Sequence, residues 1–81
     1  MWYELWDSET GNRVGVYSTE DAALRSVLDD ITTYGSGAKE IISLSLLQRD
    51  PEHLKDRVLV EGAALADRAL ALNESPTSSR R

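Results

Sequence analysis

Apolar and polar positions change rhythm several times along the chain, and each rhythm predicts an element. Residues 2–7 and 13–17 are short aromatic or β-branched runs separated by Ser8, Glu9, Thr10, Gly11 and Asn12. Small polar residues with a glycine suit a tight reversal, so the opening reads as a β-hairpin. Ser18 or Thr19 can then accept a hydrogen bond from a free amide, and Glu20 and Asp21 put negative charge at the positive end of a helix dipole. Ala23, Leu24, Val27, Leu28, Ile31 and Tyr34 follow at steps of one, three and four, which makes one apolar stripe and predicts a helix over 20–34. Gly35 and Gly37 end it.

From Lys39 to Gln48 the period shortens to two, with Ile42, Leu44 and Leu46 alternating against Ser43, Ser45 and Leu47, which predicts a third strand. Asp50-Pro51-Glu52-His53 interrupts it, because proline cannot donate to a ladder. Val58, Leu59 and Val60 suit a fourth strand, and the Ala- and Leu-rich segment 63–72 suits a second helix. Residues 73–81 hold nothing to bury and are expected to form a flexible tail. The order ββαββα predicts an α+β fold: one domain over 1–72, a four-stranded, mostly antiparallel sheet, and two helices packed on one face.

Such a sheet has a second face, and the aromatic residues bear on it. Four of the five lie in the first 17 positions. Strand alternation puts Tyr3 and Leu5 on one side and Trp2, Glu4 and Trp6 on the other. If Tyr3, Leu5, Val14, Val16, Ile42, Leu44 and Leu46 face the helices, then Trp2, Trp6 and Tyr17 share the bare side with Ser43, Ser45 and Leu47. Each aromatic buries on the order of 150–250 Å², so the pair of tryptophans approaches the size of an interaction patch. The competing expectation is that the tail or a twist of the hairpin covers them, or that they fill the core.

Composition narrows the classes further. The 81 residues include no cysteine, so disulfides and thiolate metal sites are excluded, and a core this small points to association as the supplement to stability. No apolar run reaches the roughly 20 residues of a membrane span, and the amino terminus lacks the pattern of a signal segment, so a cytoplasmic protein without membrane contact is expected. The net charge is -5, and all of it resides in residues 1–40, which hold eight acids and three bases. That balance disfavours nucleic acid and favours a basic protein surface.

The run Trp2-Tyr3-Glu4-Leu5-Trp6-Asp7, then Gly11-Asn12, then Tyr17-Ser18-Thr19-Glu20 before Ala23-Leu24, resembles the opening of a group of small uncharacterised bacterial proteins. Glu61-Gly62 ahead of a Leu/Ala helix is similar to theirs as well. The resemblance implies no activity, because that group has none established.

Candidate chemistry is thin. His53 is the sole histidine and stands in a polar loop, with no nucleophile in a suitable context. Asp50, Glu52, His53 and Asp56 have metal-ligating groups without a ligand spacing. Asp7–Asn12 lacks the glycine and glutamate positions of a calcium loop. Gly35-Ser36-Gly37 leaves a helix, whereas a phosphate cradle enters one. The neighbouring acids Glu20-Asp21 and Asp29-Asp30 point in different directions. No catalytic residue, metal or cofactor is therefore expected. The expected function is a non-catalytic protein-interaction module, holding itself or a partner through Trp2, Trp6 and Tyr17, an acidic surface, or both. An antitoxin or inhibitor of a basic protein is the alternative, and a single-strand nucleic-acid platform is a weaker one.

Overall fold

In the computed structural model, which describes residues 1–52 and 55–74, a hairpin comes first. Strands β1 (Trp2–Asp7) and β2 (Asn12–Tyr17) pair antiparallel across a turn in which Gly11 has φ 74° and Asp7 accepts from the amides of Glu9 and Thr10. Helix α1 (Glu20–Tyr34) follows, with the Thr19 hydroxyl accepting from the Ala22 amide at 3.1 Å. It ends at Gly35, whose φ of 95° lies in the region that favours glycine and whose N–H donates to the Ile31 carbonyl at 2.7 Å. A single turn α2 (Lys39–Ile42), strands β3 (Leu44–Asp50) and β4 (Lys55–Glu61), and helix α3 (Gly62–Glu74) complete the order.

The strands form one antiparallel sheet in the order β2-β1-β3-β4. All the helices lie on one side of it, α1 over β1 and β2 and α3 over β3 and β4. Between the layers Leu5, Leu46, Ile41, Val27 and Leu65 are fully buried, and Ala23, Ala66 and Ala69 complete the core. A salt bridge from Arg68 to Glu20 at 2.9 Å ties α3 to the start of α1. The fold is thus the expected α+β sandwich of one sheet and one helical layer.

Four expectations need correction. The segment 39–42 is a helical turn, and β3 starts only at Leu44; this turn buries Ile41 and leaves Ile42 44% exposed, the reverse of a strand phased on Ile42. Ile41 and Leu44 stand three apart, so a turn lets both reach the core. Tyr34, at the end of the α1 stripe, lies beyond the sheet and is exposed. Helix α3 runs to Glu74, past the expected end at Leu72, and the rest of the expected tail, 75–81, lies outside the described residues.

The fourth concerns the phase of β2. Tyr3 pairs with Tyr17 and Leu5 with Gly15, so Tyr17 and Gly15 face the helices, while Val14 and Val16 are about half exposed. Gly15 decides this. The Tyr17 phenol lies over the glycine, where an added Cβ would come within 2.8 Å of its Cζ, and the phenol O–H donates to the Ser26 hydroxyl of α1 at 2.9 Å. A glycine on the inner face leaves a gap that an aromatic neighbour fills. A β-bulge at Val14, between Leu5↔Gly15 and Trp6↔Arg13, then returns Arg13 to the outer face. A second bulge at Leu59 sets off Leu46↔Val60 from Leu47↔Val58.

Candidate functional site

Pairing across the sheet arranges the bare face in three rows. Trp2, Arg49 and Asp56 form the first; Val16, Glu4, Leu47 and Val58 the second; Arg13, Trp6, Ser45 and Glu61 the third. Alternation along β1 places Glu4 between the two tryptophans, and antiparallel pairing with β3 brings Arg49 beside them.

Glu4 is the organising residue. Its side chain is only 4% exposed, although none of the described helices covers this face, because the neighbouring side chains close over it. The indole N–H groups of Trp2 and Trp6 each donate to one carboxylate oxygen at 2.8 Å. The Arg49 Nε donates at 3.1 Å to the oxygen that Trp6 also serves, and the Arg13 guanidinium lies 3.7 Å from the other. Arg49 also pairs with Asp56 and lies 6.0 Å from the centre of the Trp6 ring.

Burial pushes the Glu4 carboxyl up, but the donors of Trp2, Trp6 and Arg49 together outweigh it and hold the group below its ordinary value. Glu4 is therefore ionised at neutral pH with both oxygens engaged. It anchors the aromatic rings and is not poised to take up a proton. Arg49 is raised by its bond to Glu4, so its charge is fixed as well.

Of the three candidate surface residues, Trp2 and Trp6 lie on the bare face together, and Tyr17 belongs to the helix-facing side. Strand alternation predicts Glu4 on this face as well, but the expected interaction residues do not include Glu4, Arg49 or Arg13. Glu4 had a readable signal, a carboxylate two residues from each of two indole donors on one strand face; Arg49 had none, because its position depends on strand order. An open concavity of about 350 Å³ lies at one end of the face, lined by Trp2, Glu4, Arg49, Asp50, Pro51 and Asp56.

Of the remaining chemistry-bearing candidates, Asp50 and Asp56 line that concavity. His53 lies outside the described residues, and among the described residues no cluster of acids is arranged to hold a metal ion. Gly35-Ser36-Gly37 leaves α1 and enters only the single turn α2. Among the described residues no helix is long and apolar enough to cross a membrane. Comparison with protein-family models, curated proteins and solved structures finds no match to this chain.

Proposed function

We propose that this chain is a protein-binding module whose docking surface is the bare face of its sheet. The observation that carries this reading is the Trp2–Glu4–Trp6 cluster: two indole rings held at fixed orientation on a face that none of the described helices covers. Rigid aromatic rings lose little freedom on contact and serve as anchors at protein interfaces. Half-exposed Val16 and Val58 extend the apolar surface to both edges of the sheet. The two arginines are already matched by Glu4 and Asp56, which favours an apolar or weakly charged partner surface over a phosphate backbone.

The test leaves the glutamate cluster alone. Val16→Lys with Val58→Lys places two charges on the face at exposed positions, where the effect on stability is expected to stay within about 0.5 kcal/mol each. Association with protein partners, measured by affinity capture and by sedimentation, is expected to be lost while circular dichroism stays unchanged. A folded double variant that keeps every association of the unsubstituted chain refutes the reading.

A further inference from the structure

We infer that the partner seated on this face is a second copy of the chain, packed sheet to sheet about a two-fold axis that runs parallel to the strands between β1 and β3. The inference rests on the docking reading above and adds the identity and register of the occupant.

The rows on the face carry it. A two-fold axis in that position keeps each row in place and reverses the strand order, so β2 of one copy lies over β4 of the other. In the third row, Arg13 then meets Glu61 of the partner subunit, and Trp6 meets the partner's Ser45, a large side chain over a small one. In the second row Val16 meets the partner's Val58, and both are half exposed in the single chain. In the first row Trp2 meets the partner's Arg49, a guanidinium facing an aromatic ring. Every contact occurs twice, and the exposed pairs match, Arg13 with Glu61 in charge and Val16 with Val58 in polarity, while Glu4, only 4% exposed beneath its own donors, lies opposite the partner's Leu47.

The other in-plane axis, perpendicular to the strands, fails on the same residues. It brings Asp56 against the partner's Glu61, both exposed, so like charges face each other twice. The charges on the face therefore select one arrangement.

Area sets the strength to be expected. Four strands spaced at about 4.8 Å and six residues at about 3.4 Å give a face of about 400 Å² in projection, smaller than the roughly 800 Å² per partner of a standard interface. The dimer is therefore expected to be weak and reversible, as small interfaces are in transient complexes.

Sedimentation equilibrium of the full chain from low micromolar to about 1 mM tests the inference. The unsubstituted chain is expected to pass from monomer to dimer over this range. Glu61→Arg is expected to weaken dimerisation by at least about tenfold by setting Arg against Arg twice, and Arg13→Glu to do the same with acids. Combining Arg13→Glu with Glu61→Arg is expected to restore it to within about threefold, since the exchanged charges again face each other. Circular dichroism confirms folding of each variant; Glu61→Arg is informative even if Arg13→Glu, which loses a contact to Glu4, is destabilised. A strict monomer at all concentrations overturns the inference, and so does a Glu61→Arg variant that dimerises like the unsubstituted chain. A strict monomer whose other protein partners are still lost on Val16→Lys with Val58→Lys removes the second copy and leaves the docking reading standing.

Discussion

Glu4→Gln should cost this protein a large part of its stability, although it changes one atom on a face without helices. Three donors converge on the carboxylate: two indole N–H groups at 2.8 Å and the Arg49 Nε at 3.1 Å. A glutamine offers one acceptor oxygen and turns its NH₂ toward a donor. With the NH₂ toward Trp2 one charge-assisted hydrogen bond is lost, and with it toward Trp6 and Arg49 two are; either way Arg49 loses the Glu4 charge and keeps Asp56 as its anionic partner. Hydrogen bonds to charged groups contribute about 1.5–3 kcal/mol, and unpairing a fully buried ion pair costs about 3–5; because Arg49 is partly exposed and keeps Asp56, these are discounted rather than added, and a loss of about 2–4 kcal/mol is expected. A chain of 81 residues has about 4–12 kcal/mol in all. The melting temperature should fall by about 10–25 °C.

The pH dependence of that loss is specific. The folded-state carboxyl is held below its ordinary value of 4.5, so its stabilisation is complete above that value and disappears as pH falls through the lower folded value. Urea unfolding followed by circular dichroism should show the full difference between Glu4→Gln and the unsubstituted chain at neutral pH, and a shrinking difference as the pH drops below 4.5. A neutral-pH difference under about 0.5 kcal/mol, or one that persists undiminished at about pH 3, refutes the account of Glu4 as a buried, ionised anchor.

Two further substitutions probe the inner layer. Gly15→Ala should destabilise by about 1–3 kcal/mol, because the new Cβ displaces the Tyr17 phenol and breaks its bond to Ser26; thermal melts should show most of this loss vanish when Tyr17→Ala is already present. Leu65→Ala should cost about 2–5 kcal/mol in chemical denaturation, while Asp67→Ala, on the exposed side of α3, should stay within about 0.5; equal effects would mean that α3 is wrongly phased.

The local signals in the sequence carried most of the architecture. Thr19 and Gly35 bracket α1 as their chemistry requires, and Leu24 and Val27 are buried as the helical period requires. Trp2 and Trp6 share a face because alternation holds along β1, a strand with no glycine or proline to disturb it. Alternation misled in β2, where a glycine on the inner face is filled by Tyr17 and a bulge adds a residue; period-two patterning assumes that the larger apolar side chains point inward and that no residue is extra. It misled again at 39–42, where adjacent isoleucines fit either a strand or one turn of helix, and only tertiary packing of Ile41 decides. Alternation places Glu4 between the tryptophans, but its burial is not legible locally; it comes from side chains that the strand order β2-β1-β3-β4 assembles, and that order is not local information.

The placement of the two bulges affects how such sheets resist aggregation. Both extra residues, Val14 and Leu59, are in outer strands, one at each margin of the sheet. An outer strand with regular spacing presents a ladder of unpaired amides and carbonyls onto which another chain can add a strand, the route into fibrils. An added residue breaks that spacing and increases the local twist, so an incoming strand loses register after a few bonds. Both margins are thereby defended against open-ended growth, while the proposed contact through the broad face would close on itself after one partner. A chain that associates this way can be held at high concentration and still form only finite assemblies.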